Sequence, residues 1–174
     1  PTDVSAIRML AETGTRLGRY DDAAKLLARC MELAPGFIAA RHNYATVLYR
    51  QGKSSEAIAQ LEILLKNDPR NPSYRNLMSA ALARLGEHQR AIALYEEILK
   101  EHPGQPKTWM SYGHTLRAVG RQQDCIAAYR RSISLSPNLG ESYWSLANLK
   151  IVRFDRADIA AMPAQLARTS GVSA

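Results

Sequence analysis

The chain has 174 residues, 46% of them hydrophobic and 22% charged, with a formal net charge of +7. That composition excludes a disordered tail, and no apolar run approaches the roughly 20 residues that span a bilayer. Two cysteines, Cys30 and Cys125, are too few for a disulfide framework and fit a reducing, cytoplasmic compartment.

The first expected helix, Ser5–Leu17, closes at Gly18; the second, Asp21–Leu33, stops before Pro35. The pattern then recurs. Ala39–Gln51 closes at Gly52 and Ser55–Lys66 stops before Pro69. Ser73–Leu85 closes at Gly86 and Gln89–Lys100 stops before Pro103. Lys107–Val119 closes at Gly120 and Gln122–Ser134 stops before Pro137. Each glycine and each proline lies 34 residues from the next, and an internal period of that length means stacked helical hairpins. Glycine closes a helix in the left-handed conformation, and proline cannot continue one. Apolar residues at helical spacing, such as Tyr44, Ala45 and Leu48, supply the buried stripe. The expected fold is therefore all-α: an α-solenoid of antiparallel helix pairs, coiled as a right-handed superhelix. Four repeats cover 4–37, 38–71, 72–105 and 106–139, an irregular fifth pair caps the array over 140–168, and a frayed tail follows over 169–174.

Gly113 stands inside the expected seventh helix, where glycine costs about 1 kcal/mol against alanine. The same slot holds Ala11, Ala45 and Ser79. A small residue in every repeat points to close helix approach, since a phosphate-binding glycine would follow a strand. Cys125 takes a slot held elsewhere by Ala23, Ala57 and Ala91, and Cys30 one held by Leu64, Ile98 and Ser132, so both read as buried packing residues.

Trp109, Tyr112, Gly113, Leu116, Cys125, Tyr129 and Pro137 together resemble the tetratricopeptide repeat (TPR) signature. Arg41 and Arg75 stand in the tryptophan slot of the second and third repeats. In the fifth segment Gly140–Lys150 is expected to be helical, Phe154 replaces the glycine turn, and a helix over Arg156–Met162 meets Pro163. The string GESYWSLANLK-x2-RF, the D-x-x-D-I-A-A-M helix and the upstream strings ARHNYATVLYRQGK, PSYRNL and WMSYGHTLRAVGRQ are similar to the TPR region of bacterial TPR-containing sulfotransferases. That resemblance implies a non-catalytic scaffold ahead of a sulfotransferase domain. The cofactor 3′-phosphoadenosine 5′-phosphosulfate would belong to that downstream domain, with none held by this chain.

TPR arrays bind partners along their first helices. The corresponding positions give Arg8, Glu12 and Arg16; His42, Asn43, Tyr49 and Arg50; Asn76 and Arg84; and Lys107, His114 and Arg117. Arg16, Arg50 and Arg84 recur at 34 residues, with Arg117 one position early. They form either a guanidinium ladder for carboxylate or phosphate or a set of basic helix ends complementing the dipole. Trp144 and Tyr49 either stack on a ligand or pack. A chaperone-type carboxylate clamp fits only at Asn43, and His42 and His114 read as neutral, hydrogen-bonding side chains. The expected partner is a protein or peptide segment, or the protein's own catalytic domain. Alternatively, the groove contributes to acceptor-substrate binding. Nucleic acid ranks last, because acidic residues interleave with basic ones in three repeats; only the fourth, with Lys107, Arg117, Arg121, Arg130 and Arg131 against Asp124, is strongly positive.

Overall fold

A computed structural model describes residues 2–150 and Ile159. Among them are nine α-helices and no strand. They are α1 (Val4–Arg16), α2 (Tyr20–Leu33), α3 (Ile38–Arg50), α4 (Ser54–Asn67), α5 (Pro72–Arg84), α6 (His88–Glu101), α7 (Pro106–Ala118), α8 (Gln122–Leu135) and α9 (Gly140–Ala147). The all-α class of successive helix pairs is what the period led one to expect. The chain divides into two compact units, Pro1–Leu94 and Tyr95–Ala174.

Local chemistry sets the helix ends. Asp3 accepts hydrogen bonds from the backbone N–H groups of Ser5 and Ala6, and Asn71 from those of Ser73 and Tyr74. These side chains satisfy orphan donors at the helix starts. Pro72 and Pro106 open α5 and α7, where a missing N–H costs nothing. At Gly18, Gly52, Gly86 and Gly120 φ lies between 74° and 84°. In the first turn Arg19 N–H reaches the Gly14 carbonyl at 2.8 Å and Gly18 N–H the Thr15 carbonyl at 3.1 Å. This paired closure needs a left-handed residue, and glycine adopts it without steric cost.

In the first unit α1 packs on α2, α2 on α3, α3 on α4 and α4 on α5. One core cluster gathers Ile7, Ala11, Ala23, Leu27, Cys30, Ala40 and Val47. The next gathers Ala45, Leu61, Leu64, Met78, Leu82 and Ala91. In the second unit α7 packs on α8 and α8 on α9, around buried Leu116, Cys125, Ala128, Tyr129 and Leu146. Both thiols are buried and free, and burial pushes each above its usual pKa.

Gly113 has the expected packing role. A Cβ placed there would come within 2.6 and 2.8 Å of the Tyr129 ring, closer than any real contact. Any larger residue at 113 would therefore force the Tyr129 ring to shift.

The fifth first-helix departs from expectation. It ends at Ala147, three residues short of Lys150, with Asn148 as its C-cap and Lys150 at φ 58°. The left-handed residue here is a lysine, four positions ahead of Phe154, which holds the glycine slot of the period. The expected helix over 156–162, Phe154, Pro163 and the tail fall outside the described residues, Ile159 excepted.

Candidate functional site

The first helices of the first unit bring four of the expected residues together. Arg8, Glu12 and Arg16 follow one another at i, i+4 on α1. Glu12 accepts from Arg16 Nη2 at 2.9 Å and lies 3.4 Å from Arg8 Nη1. With Thr15, and with Asn43 and Thr46 from α3, they line a cleft of about 340 Å³. The Thr15 and Thr46 hydroxyls donate to the Ala11 and His42 carbonyls of their own helices. Two guanidiniums against one carboxylate leave the cleft positive, and Asn43 can add a donor and an acceptor.

The remaining residues of this unit lie elsewhere. The His42 ring packs at 5.0 Å, tilted, against Tyr74 of α5, and burial lowers its pKa. Arg84 lies over the Tyr49 ring, its Cζ 4.0 Å from the centroid, and donates from Nη1 to the Tyr49 carbonyl at 2.5 Å. That carbonyl is in the last turn of α3, where the helix dipole is negative. Arg50 is exposed and, among the described residues, makes no ion pair. The row of arginines is thus divided: Arg16 binds Glu12, Arg84 caps the neighbouring helix, and Arg50 is unengaged. Asn76 is half-buried on α5.

In the second unit Lys107 is exposed at the start of α7 and Arg117 in its last turn. Half-buried His114 places Nδ1 2.8 Å from the Tyr129 hydroxyl. Burial chiefly lowers the His114 pKa; the Arg117 charge adds to this and Glu141 opposes it. A neutral imidazole can accept the phenolic proton, and burial raises the Tyr129 pKa well above its usual value. Trp144 is 64% exposed.

The periodic reading missed a larger cleft of roughly 560 Å³ in the second unit, between α6 and α8. Its floor is Trp109 and Tyr112 of α7, with Leu99, Ala127 and Ala128, and charged residues rim it. Tyr112 and His114 lie about 160° apart around α7 at 3.6 residues per turn, so this cleft and the expected positions use different faces. The positive balance of the fourth repeat was the sequence signal that pointed here. Tyr112 donates to Glu96 at 2.7 Å, and burial with this acceptor pushes its pKa up to about 12.

The tryptophan slot is also explained. Trp109 Nε1 donates to the Pro103 carbonyl at 2.9 Å, and Arg41 Nη2 to the Pro35 carbonyl at 3.3 Å, each six residues back. Among the described residues no group of three His, Cys, Asp or Glu side chains could hold a metal, and no helix is long and apolar enough to cross a membrane.

Two family models match. Residues 15–81 match the tetratricopeptide repeat, and residues 70–142 match the bacterial transcriptional activator domain. No curated protein matches the chain. Similar solved structures include a thermophilic TPR protein of Thermus thermophilus, with TM-score 0.75 and 20% identity, covering 95% of this chain and 89% of that one. Another is MamA, from residue 41 to its end, of Desulfovibrio magneticus RS-1, with TM-score 0.74 and 13% identity over 98% and 97%. A third is YrrB, described as a TPR protein with an unusual peptide-binding site, with TM-score 0.70 and 13% identity over 83% and 74%. At these identities the likeness is one of fold. Residues 15–81 thus match the tetratricopeptide repeat, and the described helices as a whole share the all-α fold of successive helix pairs.

Proposed function

We propose that this chain is an interaction scaffold that binds a peptide or protein segment of acidic character along its first helices. The observation that carries the reading is the cleft between α1 and α3. There Arg8, Glu12, Arg16 and Asn43, four of the expected binding positions from two repeats, converge with a surplus of positive charge. His42, Tyr49, Arg50, Asn76 and Arg84 extend the surface on α3 and α5, and Lys107, His114 and Arg117 provide the corresponding surface of α7. YrrB, similar in fold, is itself described as peptide-binding, which supports the assignment.

The test is titration with a short acidic peptide bearing a free carboxylate, acetyl-Gly-Ser-Glu-Asp. Arg16→Glu combined with Asn43→Ala should weaken binding at least tenfold while the helical circular dichroism is unchanged. Equal affinity in the double variant sinks the assignment.

We further propose a cytoplasmic, bacterial setting in which this scaffold is the non-catalytic N-terminal part of a sulfotransferase, its partner including its own catalytic domain. The strings GESYWSLANLK and WMSYGHTLRAVGRQ support this. A sulfuryl donor's phosphates need a glycine-rich loop between a strand and a helix. The described residues contain no strand, so they do not fit the donor, which would belong downstream. A parent reading frame lacking such a strand–loop–helix after Ala174 would remove the proposal.

A further inference from the structure

The cleft between α6 and α8 is a feature of the fourth repeat. The slot of Ala128 is held by Leu26, Gln60 and Leu94 in the other three. In the second repeat Arg41 crosses this space to bond Gln60 at 2.7 Å. Alanine at 128 removes that filling and leaves Trp109 and Tyr112 as an aromatic floor.

The charges around the rim do not balance. Glu96 is used by the Tyr112 hydroxyl at 2.7 Å and by Arg121 at 3.6 Å, and Asp124 by Arg121 at 2.7 Å. Lys100 and Arg131 are both exposed, and among the described residues neither makes an ion pair. The first repeat shows the contrast. Arg29, in the slot of Arg131, is neutralised by Glu32 at 2.8 Å, whereas the residue three after Arg131 is Ser134. Two cations beside an aromatic floor complement an anion carried next to an apolar group.

We infer that this outer cleft is a second docking site, for an acidic peptide segment bearing an aromatic or long aliphatic side chain. That side chain lies over Trp109 and Ala127 between the two helices, and an adjacent carboxylate meets Lys100 and Arg131. An open trough between helices suits a passing chain, which can lay side chains into it along its length. The site uses the face of α7 opposite His114 and stands independently of the α1–α3 cleft.

The probe is acetyl-Glu-Glu-Phe-Leu-Glu-Glu-amide, titrated into the whole chain and followed by calorimetry and by amide and indole resonances. Saturable binding is expected, with the Trp109 indole, Ala127 and Ala128 signals moving and those of Asn43 and Thr46 still. Lys100→Glu with Arg131→Glu should weaken it at least thirtyfold. Ala127→Tyr, at an exposed helical position that tolerates the change, should weaken it at least tenfold by filling the trough. Any of four results overturns the inference: no binding to the unmodified chain, undiminished binding by either variant, movement of Asn43 and Thr46 instead, or a twelve-residue oligothymidylate competing equally whether or not the trough is filled.

Discussion

The second and fourth repeats solve one packing problem with different parts. In the second, Ala45 and Leu61 hold the corresponding slots and share one core cluster. In the fourth, Gly113 faces Tyr129, with no room for even one more carbon. Between these two repeats, the smaller residue on the first helix goes with the larger one on the second in the fourth, and the reverse holds in the second. The larger ring has a further effect: its hydroxyl reaches His114 on the neighbouring helix, which leucine cannot do. The fourth repeat trades helix propensity at glycine for a buried aromatic with a polar tip.

The hardest blow to that arrangement is Tyr129→Ala. It empties the space behind Gly113 and should cost about 3–5 kcal/mol, the usual range for large aromatic truncations in cores. Urea denaturation would read it as a lowered midpoint at constant slope.

Gly113→Ala comes next. Helix propensity returns about 1 kcal/mol, but overpacking against a buried, hydrogen-bonded ring costs about 1–3 kcal/mol. A net loss is expected. The complementary change in the second repeat, Ala45→Gly, relieves no strain and should cost roughly 2 kcal/mol, from propensity and from the loss of a buried methyl. Combining Gly113→Ala with Tyr129→Leu rebuilds the Ala45–Leu61 pairing. The double variant should then be more stable than the sum of the singles predicts, by about 1 kcal/mol, within the range seen for touching residues. Strict additivity would mean that the two side chains do not compete for the same space.

The smallest effect is one of pH. The folded-state pKa of His114 lies below its ordinary 6.5, chiefly through burial. The unfolded chain therefore binds more protons than the folded one as pH falls past 6.5, and stability declines there until the folded-state pKa is passed. His42 contributes in the same direction. Melting at pH 7.5 and pH 5.5 should show the decline, and His114→Gln should reduce but not abolish it.

The period alone carried the helix pairs, their glycine turns and the burial of Cys30 and Cys125, because 34-residue spacing and turn chemistry are local properties. It could also assign Gly113 a packing role, since its slot is small in every repeat. It could not foresee that α9 ends at Ala147, with Asn148 as its C-cap and Lys150 at positive φ, because neither glycine nor proline marks the stop. Nor could it divide the arginines: Arg50 and Arg84 look alike in the pattern, but only Arg84 has an aromatic ring beneath it, from Tyr49. The outer cleft was hidden for a similar reason, because one alanine, Ala128, and one unanswered charge, Arg131, matter only once α6 and α8 stand side by side.

The bond from Trp109 to the Pro103 carbonyl, matched by Arg41 to that of Pro35, changes how kinship among such repeats is weighed. In the second and fourth repeats the bend before the first helix is held by a long side chain ending in an N–H, and indole and guanidinium both qualify. Scoring by aromatic identity understates the likeness of the second hairpin to the fourth. Scoring by reach and donor capacity restores it, and turns an apparent mismatch into a shared piece of carpentry.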